Sequence, residues 1–176
     1  MNEQKYNLEE SKAELDKLVD LSAEETDKTA CEALAEKARI IYGQYPKSED
    51  IALLYARILV NLSTKQTELK ELETTVEKLE KLQQQFQDSH DIAEAFARIL
   101  FNLSTKQTVL KELETTVEKL ENLQQKFPES HDIAEAFASI LINLSIEQTE
   151  LKEIEATAEK LENLQQKFPE SHDIAE

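Results

Sequence analysis

Glycine and proline are scarce in this sequence, which contains one Gly, three Pro, one Cys and no Trp in 176 residues. So few turn-forming residues make a β-rich fold, with its many tight turns, improbable. The lone cysteine, Cys31, cannot form an internal disulfide, which favours a reducing compartment. No apolar run approaches the length of a membrane span or of a signal-peptide core. The sequence therefore predicts a cytoplasmic protein that does not cross a membrane.

Positive charge is also in short supply, because 20 Lys and Arg stand against 37 Asp and Glu, for a formal net charge of −17. Nucleic acid and anionic membrane surfaces require clusters of Lys and Arg, and the sequence has none. These two classes of partner are therefore not expected. A basic protein or peptide remains compatible with the charge, although an acidic surface also keeps a helical protein soluble.

What the sequence does contain is a repeat. Ser89-His90-Asp91-Ile92 returns at Ser130 and again at Ser171, a period of 41 residues. We predict a single repeat domain over residues 1–176, in which 7–47 is a divergent unit, 48–88, 89–129 and 130–170 are nearly identical units, and 171–176 begin a truncated fifth. Units of this size cannot cover their own apolar faces, so they are expected to stack.

Each unit is predicted to hold two helices. In the unit 89–129 the first, over about 91–103, carries apolar residues at three-and-four spacing, after Ser89 at the N-cap position. The second, over about 105–126, is expected to begin with a capping box at Ser104-x-x-Gln107, repeated at Ser22, Ser63 and Ser145, and to end at Phe127-Pro128. The predicted fold class is all-α, an α-solenoid of stacked helix-turn-helix units.

The first helix resembles that of tetratricopeptide repeats, in which bulky and small apolar residues recur at spacings of three, one and three. The corresponding residues are Ala93, Phe96, Ala97 and Leu100, with Ala52, Tyr55, Ala56 and Leu59 before them and Ala134, Phe137, Ala138 and Leu141 after them. The units are longer than is usual in that family, with the extra length expected in the second helix. HEAT-like repeats, whose period is closer to 41, are the alternative. Either resemblance implies a binding scaffold without naming its ligand.

The resemblance also implies where a partner would bind. In the tetratricopeptide register, one face of the first helices lines a concave groove. The groove residues so predicted are Arg57, Asn61, Asp91, Glu94, Arg98, Phe101, Asn102 and Asn143. The asparagines form a row with one member per unit, and a side-chain amide can both donate to and accept from an extended peptide backbone.

No catalytic, metal or cofactor site is expected. Ser89-His90-Asp91 and its repeats are consecutive residues, whereas a catalytic triad requires three side chains that converge. His90, His131 and His172 lie on successive units, too far apart to share one zinc ion. Cys31 aligns with Leu72 and Leu113, so we expect a buried core residue. The sequence favours a protein- or peptide-binding scaffold that is not an enzyme, with a structural spacer as the alternative.

The last unit carries an apolar stripe that a following unit would normally cover. Its residues are Leu151, Ile154, Leu161, Leu164 and Phe168. Because two identical edges most often meet about a two-fold axis, we expect a concentration-dependent homodimer through this C-terminal edge.

Overall fold

The computed structural model describes residues 7–171, which form eight α-helices joined by short turns. The first helices of the units are α1 (Leu8–Glu24), α3 (Glu49–Ser63), α5 (His90–Ser104) and α7 (His131–Glu147). The second helices are α2 (Lys28–Gln44), α4 (Leu69–Gln85), α6 (Leu110–Lys126) and α8 (Leu151–Lys167). Within residues 7–171 there is no strand, and no helix there is long and apolar enough to cross a membrane. The predicted all-α solenoid is confirmed.

The helices form two layers. In the first layer α1, α3, α5 and α7 pack side by side, each against the first helix of the neighbouring unit. In the second layer each of α2, α4 and α6 packs between its own first helix and the first helix of the next unit, while no two of the described second helices make direct backbone contact. Helices that touch in one layer and are held apart in the other give a curved array, with the first layer on the inside. We call the exposed side of the first layer the inner face.

The interior first helices α3 and α5 are apolar around most of their circumference, because each has neighbours on three sides. In α5, Ile92, Ile99 and Leu100 are fully buried. Ala93 and Ala97 are fully buried as well, and their small side chains allow adjacent helices to approach closely. The second helices instead bury a single stripe, as in α6 with Leu113, Val117, Leu120 and Leu123.

A tight turn ends each second helix where the sequence predicts it. The carbonyl of Phe127 accepts a hydrogen bond from the Ser130 amide at 3.1 Å, which closes a four-residue turn around Pro128. In the preceding unit, where Gln87 replaces the proline, the Phe86 carbonyl accepts from the Ser89 amide at 3.0 Å. The turn therefore does not depend on proline.

The predicted capping box is wrong in all four units. Ser104 is the last residue of α5, and its hydroxyl donates to the Phe101 carbonyl at 2.8 Å. The second helix begins at Leu110 rather than 105, and Val109 at its N-cap makes no side-chain cap. Gln107 accepts from the Thr116 hydroxyl at 2.9 Å, which fastens the connection onto α6. Ser22, Ser63 and Ser145 likewise belong to first helices, and each hydroxyl donates to the carbonyl three residues earlier in the same helix. The extra length of the unit therefore lies partly in this connection rather than wholly in the second helix.

The C-terminal stripe is only partly open. Ile154 and Leu161 are half-buried and Leu151 is exposed, whereas Leu164 and Phe168 are 7% and 4% exposed. Phe168 packs edge-on against His131 of its own unit, with 4.7 Å between ring centroids. The last two residues of the predicted stripe therefore face the chain itself and are not available to a second copy.

Candidate functional site

A depression on the inner face brings together five of the predicted groove residues. It has a volume of about 370 Å³ and lies across α1, α3 and α5. Val19, Leu53 and Val60 contribute apolar surface. The predicted residues that line it are Arg57, Asn61, Asp91, Glu94 and Arg98. The structure therefore places these five residues around one depression between first helices.

A second depression continues the first along the inner face. It has a volume of about 340 Å³, lies between α5 and α7, and shares Arg98 with the first. Phe101, a predicted groove residue, lines it and is 37% exposed. Ser139, the groove position that corresponds to Arg57 and Arg98, also lines it, and the lining residues that the prediction missed are Asp132, Glu135 and Ala136. Asp132 and Glu135 occupy the repeat positions of Asp91 and Glu94, so applying the 41-residue period to the whole predicted set would have found them.

The two depressions differ in whether their charged side chains form an ion pair. Arg98 forms an ion pair with Asp132 across the α5–α7 junction. One unit earlier, Arg57 and Asp91 hold the equivalent positions and line the same depression, but neither forms an ion pair within residues 7–171. The first depression therefore presents a guanidinium and a carboxylate whose charges are free to meet a ligand.

The carboxylate of Glu94 already contacts other side chains of the protein. Its Oε1 accepts a hydrogen bond from the Ser130 hydroxyl at 2.9 Å and lies 3.5 Å from Nδ1 of His90. Glu135 repeats this arrangement with Ser171 at 2.8 Å. Glu94 thus links α5 to the start of α7, so a ligand would compete with an existing contact at Glu94 but not at Asp91.

The predicted row of asparagines forms hydrogen bonds between neighbouring units. Nδ2 of Asn102 donates to the Ser63 hydroxyl at 2.7 Å, Asn61 donates to Ser22 at 2.8 Å, and Asn143 donates to Ser104 at 3.0 Å. All three asparagines are half-buried, and only Asn61 lines the first depression. Each amide therefore already donates one hydrogen bond to the preceding unit, and the binding of a peptide by this row stays a prediction.

The Ser-His-Asp sequence at 130–132 does not bring its side chains together. Ser130 donates to Glu94 and accepts from the Ile133 amide at 3.3 Å, which is the predicted N-cap. His131 packs on Phe168, and Asp132 pairs with Arg98. Ser89 occupies the same cap position but makes no side-chain cap bond. The three side chains have three separate partners, so this segment has the geometry of a helix start.

Three side chains near the start of α5 could offer ligand atoms to a cation. The possible ligand atoms of His90, Asp91 and Glu94 all lie within 4.8 Å of one another. His90 and Asp91 are exposed, and Glu94 already accepts from Ser130. His90 also packs edge-on against Phe127 at 5.6 Å, as His131 does on Phe168, so its position follows from packing within the unit. His172 lies outside the described residues.

Two buried side chains in the N-terminal half have shifted acidities. Burial raises the pKa of the Cys31 thiol, which favours the uncharged form and lowers reactivity, and Cys31 occupies the core position that the sequence predicts. Burial also raises the pKa of Tyr55 to about 12. Its ring stacks on that of Tyr42 at 5.5 Å between centroids. Both groups are parts of the core and face no depression on the inner side.

Comparison with known proteins gives no relative: no family model, curated protein or solved structure matches the chain.

Proposed function

We propose that this protein is a binding scaffold that holds a protein or peptide segment along the inner face of its helical array. The observation that carries the proposal is the pair of adjoining depressions on the first helices, together about the width of two units. The free charges of Arg57 and Asp91 lie beside apolar surface from Val60, a combination typical of sites that fix a peptide by a few polar contacts.

The proposed repeat type is tetratricopeptide-like, with HEAT-like repeats as the alternative. Full burial of Ala56, Ala97 and Ala138 supports the first choice, because the small residue of that family's first helix is what lets the helices of a unit meet. In the second helix, Thr75, Thr116 and Thr157 are buried at the position where the family prefers alanine, another small residue. Either type supports binding on the inner face.

The proposed partner is a segment with basic side chains. The net charge of −17 attracts a basic partner from a distance. At close range Asp91 offers a carboxylate without an ion pair in the described structure, while Arg57 offers a second contact to a carboxylate or a backbone carbonyl. The cytoplasm is the proposed location, and a catalytic role is not part of the proposal.

Selection from a displayed library of random peptides tests the proposal even though the natural partner is unidentified. Peptides would be selected on the whole chain and then measured against Arg57→Ser. Serine is native to this position in the last unit, as Ser139, so the fold should tolerate it. We expect the selected peptides to bind Arg57→Ser about tenfold more weakly, since a charged hydrogen bond contributes about 1.5–3 kcal/mol.

Lys37→Ser is the matched control. Lys37 is exposed on the second helix α2, and losing it changes the net charge by the same amount. Peptides that bind both variants as tightly as the unaltered chain would remove the inner face from the proposal. Failure to select any peptide would instead support the structural spacer, whose repeats set length rather than recognition.

A further inference from the structure

The second depression on the inner face is a copy of the first, displaced by one unit. All six residues that line it occupy the repeat positions of residues that line the first depression. The side chain differs at two of these positions, where Val60 of the first copy becomes Phe101 and Arg98 of the first copy becomes Ser139. A segment that crosses the first helices therefore meets the same site twice, with different chemistry each time.

The first copy offers charges that have no ion-pair partner within residues 7–171. The carboxylate of Asp91 and the guanidinium of Arg57 both line it, and both side chains are exposed. The half-buried side chain of Val60 lies in the same depression. A lysine or arginine of a partner fits this combination, because its hydrocarbon stem can cover apolar surface while its charged end binds a carboxylate.

The second copy offers apolar surface, because every charged or hydroxyl side chain that lines it already has a partner. The contacts are the ion pair of Arg98 with Asp132, the hydrogen bond from the Ser171 hydroxyl to Glu135 at 2.8 Å, and the hydrogen bond from the Ser139 hydroxyl to the Glu135 carbonyl at 2.9 Å. The large side chain that remains is Phe101, which is 37% exposed. An apolar side chain of a partner would cover this ring without breaking any of these contacts.

The distance between the two copies limits the conformation of a segment that fills both. The first helices pack side by side, and packed helices lie about 8–10 Å apart. In a polyproline II segment, side chains three positions apart point the same way and lie about 9 Å apart. Same-face side chains of a β-strand lie about 7 or 13 Å apart, at separations of two or four positions. On an α-helix the matching separation is seven positions, or about 10.5 Å. Polyproline II therefore fits the array best.

We propose that the partner is a polyproline II segment that carries a basic residue and, three positions away, a large apolar residue. The basic side chain binds Asp91 in the first copy, and the apolar side chain covers Phe101 in the second. Arg57 donates to backbone carbonyls of the segment, which have no internal hydrogen bonds in this conformation. This inference rests on the proposed function and adds to it the conformation and residue pattern of the partner.

Peptides selected on the whole chain from the displayed library are the probe. We expect a basic and a large apolar residue three positions apart to recur among them, in either chain direction. Changing the basic residue of a selected peptide to glutamine, or its apolar residue to alanine, should weaken binding about tenfold in each case. Inserting one alanine between the two residues should weaken binding by a similar factor, because one side chain then leaves its depression.

Variants of the chain assign each peptide residue to one copy of the site. Asp91→Asn should weaken binding of a selected peptide about tenfold but should have little effect on the peptide with glutamine at the basic position. Phe101→Val introduces the residue that the first copy has as Val60, so the fold should tolerate it. It should weaken binding about fivefold, and it should have little effect on the peptide with alanine at the apolar position. Glu77→Gln, at an exposed position of α4, is the charge-matched control and should leave binding unchanged.

The outcomes separate this inference from the proposed function. Peptides that bind the inner face with the two residues two, four or seven positions apart would overturn the polyproline II segment and leave the proposed function standing. The same holds if Phe101→Val weakens the peptides with and without the apolar residue equally. Failure to select any peptide would overturn the proposed function and this inference together.

Discussion

The two layers of this array differ in how much of each helix is buried. An interior first helix such as α5 has neighbours on three sides and buries residues around most of its circumference. A second helix such as α6 buries one stripe and exposes a strongly charged face. Units therefore meet both within the inner layer and where each outer helix packs on the next inner helix, while the charged face of the outer layer interacts with water.

This difference limits where recognition can occur. Because a first helix is almost wholly buried, only a few of its positions per unit reach the inner face, chiefly those of Arg98, Phe101 and Asp91. The units that are otherwise nearly identical differ at two of these positions, with Arg57, Arg98 and Ser139 at one and Val60, Phe101 and Ile142 at the other. A small number of exposed positions can thus vary without disturbing the stack.

Overpacking should separate the two layers most clearly. Ala97→Leu adds bulk at a fully buried position of α5, so we expect the free energy of unfolding to fall by about 1–3 kcal/mol. Ala156→Leu makes the same change at an exposed position of the outer helix α8. It should alter the free energy of unfolding by less than about 0.5 kcal/mol. Urea unfolding followed by circular dichroism gives both values. Equal effects would mean that the inner layer is not the tighter one.

Alkaline pH tests the burial of an ionisable group in the inner layer. The pKa of Tyr55 is raised to about 12 by burial, so the folded state favours the neutral phenol. The stabilisation that comes from burying the neutral phenol is complete below the ordinary tyrosine pKa of about 10. This stabilisation is lost as the pH rises through 12.

The variant Tyr55→Phe isolates this contribution, since phenylalanine is native to the position as Phe96 and Phe137. Between pH 10 and 12 the free energy of unfolding of Tyr55→Phe should rise relative to that of the unaltered chain. The difference should grow by on the order of 1.4 kcal/mol per pH unit. Tyr42→Phe, at a half-buried ring on α2, should gain less. Parallel pH profiles for Tyr55→Phe and the unaltered chain would contradict the burial of this phenol.

The asparagine row gives a smaller effect that is specific to the inner layer. Asn102→Ala removes the hydrogen bond to Ser63 at 2.7 Å and should cost about 1 kcal/mol. Asn122→Ala, at an exposed position of the outer helix α6, should be close to neutral. If thermal unfolding shows the two variants to be equally stable, the asparagine does not tie the units together.

Ion pairs between outer helices should give the smallest effect. A double-mutant cycle on Glu80 and Lys119, which pair at 2.9 Å, is expected to give a coupling of about 0.2–1 kcal/mol. The coupling should shrink as salt is added, because both side chains are partly exposed. The Asn102–Ser63 coupling should not change with salt, since neither group is charged. A large, salt-independent Glu80–Lys119 coupling would contradict the division between the layers.

Periodicity made most of the fold predictable from the sequence. The 41-residue repeat, the apolar spacing of α5 and the Phe127-Pro128 turn follow from local chemistry that recurs in every unit, and all three are present in the structure. Burial of Cys31 follows from its alignment with Leu72 and Leu113. Each of these inferences depends only on the position of a residue within its unit.

The errors arose where a residue's partner lies in another helix. Ser104 fits a capping box locally, but it lies inside α5 and accepts a hydrogen bond from Asn143 of the next unit. The same bond ties Asn143, a predicted groove residue, to the preceding unit. At the C-terminal edge, Phe168 reads as part of an open stripe, yet His131 covers it. Local patterns cannot reveal these contacts, because they depend on how neighbouring helices are packed.

Footprinting of carboxylates with a bound peptide tests recognition by the inner face most directly. Carbodiimide labelling followed by mass spectrometry would be compared for the free chain and for the chain with a bound peptide from the displayed library. We predict that Asp91 is protected, while Glu77 and Glu118, exposed on the outer helices α4 and α6, label equally in both states. Protection of Glu77 and Glu118 with no change at Asp91 would contradict recognition by the inner face.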